Sequence, residues 1–550
     1  MSESIPVLII GGGIVGITAS IFLAQHGVKS IVIERHANTS IHPRARSVNA
    51  RTMELFRRLG ITERVREAGA SMRPTGGITK GYTLREVIEP KPQKDLNRKS
   101  PFAGYIDSAT PENGAFVTQD MLEPVLVDEA RQRGVDIRFN TECMAVSQHD
   151  SNVTCKFQQR NSGKTYSIEA EYLMASDGAK SPIREQLKID TTGRGTLGHL
   201  LNILLEADLS TLVQGREFSL CVIDQPEIQG VFTSIENHNR WVFHLHFDPA
   251  KGQSPEDFPP QKCEEILRKA IGIPDLAIHI KSVMPWEPSA KVAERMRDGR
   301  IFLAGDSAHQ VTPYAGQGAN GGIADAHNLA WKLAAVLKNQ AGTSLLDTYE
   351  VERLPIGQIA AEVSAIGCDD RGLPPVPWSP TFFHSAWKKV FLVAGLGYAY
   401  DSRAICQEST WPLGGWSWTS LSVPSLAFSI DGRPGRRVPH LWVEKDGKRI
   451  STLDVCGARL VLLAGANGAK WIQAAKELSS SMSIDIDAHV VGVNGDLHDA
   501  GSQLEKACGI STTGAVLVRP DDYVAFRARR DDGMCKAQLR AAIEQVYALD

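Results

Sequence analysis

Residues 8–36 read LIIGGGIVGITASIFLAQHGVKSIVIERH. The run Val7 to Ile10 is short and β-branched, the composition of a buried parallel strand. Gly11, Gly13 and Gly16 follow on G-x-G-x-x-G spacing. Ile17 to His26 has helical content and no proline, Gly27 stops it, and Ser30 to Ile33 forms a second strand ending at Glu34. In such a βαβ unit the glycines permit a tight turn, close approach of backbone to a pyrophosphate, and close helix–strand contact. The helix N-terminus offers unpaired N–H groups and a partial positive charge to the phosphates. Glu34 stands where an acid accepts hydrogen bonds from a ribose diol. The stretch predicts an adenine dinucleotide without saying which one.

The rest of the chain sets bounds on that reading. Its 550 residues exceed one core, and about three domains are expected at this length. A net charge of −3 gives no electrostatic case for nucleic acid. Nine cysteines, scattered and without a C-x-x-C pair, argue against a disulfide framework or zinc site and predict a reducing, cytoplasmic compartment. The apolar run before the glycines is too short for a secretory leader, and Val390 to Tyr400 is too short to span a bilayer. No metal is called for: the histidines do not cluster at ligand spacing.

Along the chain, Met53, Leu55, Phe56 and Leu59 recur at helical spacing before Gly60, and Thr118 to Gly134 is a further amphipathic helix. Residues 73–113 look like loops and short strands. Residues 200–247 alternate with period two; in RWVFHLHF, Trp241, Phe243 and Leu245 face one way and His244 and His246 the other. A Pro-rich segment lies at 371–380, and strands alternate with helices after about residue 430.

Two more motifs follow buried strands. One is Ser176-Asp177-Gly178-Ala179 after Tyr172 to Ala175; the other is Gly305-Asp306 after Phe302 to Ala304. Pro313 to Gly322 then carries four glycines into a long helix. Glycines at that density cost stability, which suggests a flat ligand resting on backbone.

G-x-G-x-x-G with Glu34, Asp177-Gly178, and Gly305-Asp306 with P-x-x-G-x-G-x-N resemble the three fingerprints of the FAD-dependent aromatic hydroxylases, single-component flavoprotein monooxygenases of the para-hydroxybenzoate hydroxylase type. The match spans residues 5 to about 370. The tail, with PGRRVPHLWV, STLDVCGARLVLLAG and GAVLVRPDDYVAFRAR, is similar to the thioredoxin-like domain of the phenol and polyketide hydroxylase branch. Its cysteines, Cys456, Cys508 and Cys535, form no redox pair in sequence, so it reads as structural, packing on the flavin domain or helping a homodimer form.

The resemblance implies an α/β fold: a Rossmann-like FAD-binding domain with an inserted β-sheet substrate domain, plus the C-terminal thioredoxin-like α/β domain. The expected divisions are 1–72, 98–190 and 285–370 for FAD, 73–97 and 191–284 for the substrate sheet, 371–429 as a helical, Pro-rich connection, and 430–550 as the tail. It implies non-covalent FAD on Gly11, Gly13, Gly16, Glu34, Arg35, Arg44, Arg46, Gln119, Asp177, Gly178, Asp306, Pro313, Gly316, Gly318, Ala319 and Asn320. Asp177-Gly178 follows Ala175-Ser176, where the family usually has a small or cysteine-containing strand end; no loss is expected from this. NADPH or NADH is the implied transient co-substrate and O2 the oxidant. The reaction is hydroxylation of a phenolic or polycyclic aromatic molecule through a flavin C4a-hydroperoxide, with Baeyer–Villiger oxidation or epoxidation as the alternative on the same scaffold and a non-catalytic flavin-binding protein as the remote one. Arg46, Tyr314 and His244 are the catalytic candidates; none is a compelling base.

Overall fold

The computed structural model describes residues 3–72, 77–90, 103–374, 394–408 and 430–549. Parts of the Pro-rich connection, at 375–393 and 409–429, lie outside the described residues, as do 73–76 and 91–102.

The first strand, Glu3–Ile10, is at the centre of a sheet. It pairs in parallel with Ser30–Ile33 on one side and Thr165–Ala175 on the other; Asp136–Arg138 and Ile301–Leu303 extend the parallel set at its two flanks. Val7, Leu8 and Ile9 are fully buried, the condition that makes a parallel strand apolar throughout. The helix after the glycines runs Ile14–Gln25, three residues earlier than the sequence reading, so Gly16 lies inside it. A Cβ at Gly16 would come within 2.0 Å of the Gly11 carbonyl oxygen, so this glycine serves the helix–turn contact and not the turn itself. Residues 73–113 also hold more helix than expected, at Leu84–Ile88 and Ala103–Ala109. The Thr83 side chain accepts from the Glu86 amide and caps the first of these.

A second sheet of six strands runs in the order His279–Trp286, Leu200–Glu206, Arg240–His246, Gln229–Ser234, Leu220–Asp224, Ile78–Gly81. All its pairings are antiparallel except the last. Trp241, Phe243 and Leu245 point to the side covered by the Pro260–Ile271 helix. Each such fully buried large side chain contributes roughly 1.5–3 kcal/mol. The opposite face carries Leu200, Leu204, Val222, Val231 and Val242 with Asn202, Thr233 and His244 among them. That face is turned to the dinucleotide half. Met121 packs on Leu204 and Val242, Asp120 pairs with Arg240 at 2.6 Å, and Arg46 donates to Ser219 Oγ at 2.8 Å.

The tail holds a seven-stranded sheet, four of whose strands lie in the order Ile486–Gly492, Leu460–Ala464, Ala515–Val518, Val524–Ala528. The first two are parallel and the others antiparallel, with helices Ala469–Met482 and Cys535–Val546 beside them, a mixed α/β domain. The tail shares the main core: Trp331 and Tyr547 meet edge-on at 6.4 Å between ring centroids. Around that contact lies a buried ionic junction. Arg519 donates to both oxygens of Glu352 at 2.5 and 2.9 Å, and Lys332 to Glu352 at 2.8 Å. Arg51 pairs with Asp522 at 2.8 Å. No helix among the described residues is long and apolar enough to cross a membrane.

Candidate active site

Three motifs separated by up to 295 positions converge because the ends of their strands are in register. Ile10 pairs with both Ile33 and Ala175, and Ala175 with Leu303, so Gly11, Glu34, Ser176 and Ala304 leave the sheet at one edge. Ligands of open α/β sheets bind outside the carboxyl ends of such strands.

At that edge Gly11 has φ +105° and an added Cβ would lie 2.2 Å from the Ser176 carbonyl oxygen, so the first turn is sealed against its neighbour. Gly13 is different: a Cβ there would meet nothing nearer than Glu123 Oε1 at 3.6 Å. The helix beginning after it has no cap from its N-cap residue; Glu123 faces the Ile14 amide, and the other N–H groups of the first turn are available to an anion. Glu34 is set in place beforehand, accepting from the Gly12 amide at 2.7 Å and the His36 amide at 2.8 Å. Arg35 and Arg44 are exposed beside it. Gln119 opens the Gln119–Gln132 helix and donates to Glu123 at 2.6 Å, while Glu123 also accepts from the Ser40 amide at 2.7 Å. Burial pushes the Glu123 carboxyl up.

Asp306 is crowded on its flanks, yet its side chain is open to solvent, as expected for a carboxylate lining a recess. Desolvation raises its pKa, and His309 and Arg44 pull it back. It accepts no hydrogen bond from the described residues. In the following loop, Gly316 has φ +61° with open space where a Cβ would go, Pro313 is exposed, and Gly318 and Ala319 are half-buried. The Gly318–Leu337 helix also starts without a side-chain cap.

Two carried-over residues have their side chains committed inside the protein. The Asp177 carboxylate accepts from Ser181 Oγ at 2.7 Å and the Ile183 amide at 3.2 Å, and so holds the turn in which Gly178 takes φ +87°. Asn320 accepts from the Asn49 amide and Thr52 Oγ1 at 2.9 and 2.7 Å and donates to the Gly316 carbonyl at 2.7 Å. It ties the segment bearing Arg46 to the glycine-rich loop.

Arg46 is the site's most telling cation. Only Nη1 has partners, on Ser219; Nε and Nη2 are buried without any, and no carboxylate pairs with it among the described residues. Burial pulls its pKa down to about 10. The catalytic candidates fare differently. Tyr314 donates to the Gly372 carbonyl at 2.9 Å, and burial holds its hydroxyl protonated. His244 bonds Asn202 Oδ1 through Nδ1 and Thr233 Oγ1 through Nε2 at 3.2 Å. The Asn202 oxygen can only accept, so Nδ1 carries the proton and Nε2 accepts from the Thr233 hydroxyl. Burial lowers its pKa to about 3. Both nitrogens are spent, so the ring organises the sheet face and is not free to take a substrate proton. Sequence reasoning missed His42, buried with both ring nitrogens unpartnered, and gave no role to Glu123, although its i+4 spacing from Gln119 was a signal.

The residues present fit FAD: an open space over Gly13, an uncapped helix start, an unspent Asp306 and an uncompensated buried guanidinium. A dinucleotide cradle facing a mixed apolar and polar sheet defines a flavin-dependent monooxygenase. Comparison with known proteins gives the family. Residues 4–364 match the FAD binding domain model and 431–548 the aromatic-ring hydroxylase C-terminal model. Over its whole length the chain is 37% identical to 97% of tetracenomycin A2 monooxygenase-dioxygenase of Streptomyces glaucescens. It is 36% identical, over 96% of its length and 94% of the relative's, to aklavinone 12-hydroxylase RdmE of Streptomyces purpurascens. A solved aklavinone-11 hydroxylase complex with FAD and aklavinone superposes over 100% of both chains with TM-score 0.84 at 32% identity. The chain belongs to the FAD-dependent aromatic-ring hydroxylases.

Proposed function

We propose that this monooxygenase hydroxylates a polycyclic, polyketide-like phenol, and that the substrate lies between the glycine-rich loop and the inner face of the six-stranded sheet. The observation that carries this is the composition of that face. Leu200, Val222 and Val231 make that face apolar, with Leu373 packed on them and Trp286 at the edge. Asn202, Thr233 and His244 are set within it as a short polar row. A flat polycycle with a few oxygens matches such a face better than a small, highly polar ring does.

Bound FAD, reduced by NADPH or NADH, supplies activated oxygen from O2. The chain's own residues do the rest. Gly13 and the uncapped helix start receive the pyrophosphate, Glu34 the adenosine ribose, and Asp306 the ribityl hydroxyls. Arg46 presents an unneutralised charge to the flavin side, favouring a reduced, anionic ring and orienting it. The apolar face excludes water, which protects the oxygenating species. His244 stays neutral and fixes Asn202 as a directional group toward a substrate oxygen.

The test is nicotinamide oxidation with 18O2 and a set of polycyclic phenols. The expected product carries one 18O on an aromatic carbon, located by NMR, with oxidation of the nicotinamide stimulated by substrate. Oxygen inserted next to a carbonyl, or stimulation by single-ring phenols alone, would overturn the reading.

A further inference from the structure

We infer that Asp325 is a positioning residue for the cofactor turn: through the Gly305 amide and through Arg353 it presets the geometry in which Asp306 and the start of the Gly318–Leu337 helix meet the flavin half of FAD. This rests on the assignment of Asp306 to FAD, and not on the identity of the substrate.

Asp325 is fully buried on that helix, two turns in, and points back at the Gly305–Ser307 turn. Its Oδ2 accepts from the Gly305 amide at 3.0 Å and from His309 Nε2 at 2.7 Å. Its Oδ1 accepts from Arg353 Nε at 2.7 Å. Gly305 has φ +63° and is pressed against Val15, so the turn is held in a conformation that its own sequence does not favour beyond the glycine. Asp306 itself has no hydrogen-bond partner among the described residues to orient it. Its direction is therefore inherited from its two neighbours: Gly305, whose amide Asp325 holds, and Ser307, which is tied to the Ala304 amide at 3.0 Å and the Ala175 carbonyl at 2.7 Å and belongs to the strand ends rather than to the helix.

The second arm runs through Arg353. Besides Asp325 it donates to the Gly321 carbonyl at 3.1 Å, in the first turn of the helix, and to the Tyr400 hydroxyl at 3.1 Å. Tyr400 stacks on Tyr523 of the tail with centroids 4.0 Å apart. One carboxylate thus links the Asp306 turn, the helix start and, through Arg353 and Tyr400, the tail. Burial opposes the charge on Asp325, but His309 and Arg353 outweigh it and keep the carboxyl below its usual range. A neutral replacement would keep the size and lose that grip.

The experiment compares FAD with ADP on full-length apoprotein, using flavin fluorescence quenching and calorimetry. ADP reports the Gly11–Gly16 and Glu34 end alone; FAD reports both ends. Asp325→Asn and, independently, Arg353→Lys are each expected to raise the Kd for FAD about tenfold or more while leaving the Kd for ADP within about twofold. Equal binding of both ligands, or parallel loss of both, overturns the inference, since a general structural defect moves the two together. Asp306→Ala separates the premises: unchanged FAD affinity removes the Asp306 assignment and the inference with it. Weakened affinity there, with Asp325→Asn and Arg353→Lys like wild type, removes the inference alone.

Discussion

Gly11 and Gly13 stand two residues apart and should fail in different ways when a methyl group is added. At Gly11 the backbone is at φ +105° and the methyl carbon would lie 2.2 Å from a carbonyl oxygen, so Gly11→Ala should destabilise the protein itself. At Gly13 φ is −78° and the nearest atom to the new carbon is 3.6 Å away, so the protein tolerates the methyl and only the ligand meets it. Thermal melts of the two apoproteins, with flavin titrations beside them, check this: Gly13→Ala should melt like wild type and bind FAD poorly, while Gly11→Ala should melt lower. His244 gives a pH-dependent counterpart. Its folded pKa of about 3 lies below the unfolded value of ~6.5, so the unfolded chain binds its proton more tightly. Its contribution is intact above about pH 6.5 and is lost as pH falls toward 3, with a slope of at most ~1.4 kcal/mol per unit, reduced because the ring is partly open to the sheet face. The gap in unfolding free energy between wild type and His244→Asn should therefore shift against wild type between pH 7 and 5. A gap independent of pH would mean that the ring is not held neutral.

At the level of elements, the strand ends do the assembling. The short apolar runs before Gly11, Asp177 and Asp306 were legible because a strand buried on both faces can hardly be written otherwise. The beginning of the first helix was read three residues late, since glycine reads as a breaker and nothing local shows that Gly16 packs on Gly11. Glu123 and Asp325 were silent for a related reason. A carboxylate within a helix reads as a solvated face, and the partners that bury it, Ser40 and Gly305, are 83 and 20 residues away. Asp177 carries a prediction at this scale. Its carboxylate caps the Pro182–Gln186 helix through Ser181 and Ile183, so Asp177→Ala should lower stability by about 0.5–2 kcal/mol in chemical denaturation. Full stability with slowed flavin reduction would instead give the carboxylate a direct part in nucleotide handling.

For the whole molecule, the tail's contribution is electrostatic as much as apolar. Arg519 is fully buried between Glu352 and Asp521. Arg519→Met would leave Asp521 buried without its cation and Glu352 with Lys332 alone, and a loss of about 3–5 kcal/mol in unfolding free energy is expected. A stability within error of wild type would show that the junction is not under load. The three tail cysteines offer no comparable role. Cys456 donates to Thr452 and Cys535 to Asp531, and burial raises all three thiols, Cys508 to about 12, which disfavours the thiolate that exchange requires. A junction made of charges also bears on how the chain is born. At ~5–20 residues per second, roughly 10–30 s separate the emergence of Glu352 from that of Asp521. Through that interval the nascent flavin half presents Arg51, Lys332 and Glu352 at its unfinished surface, groups that water solvates well. Set around Trp331, those charges break up what would otherwise be a continuous oily patch for neighbouring ribosomes' products to stick to, while the half-made enzyme waits for its own last domain.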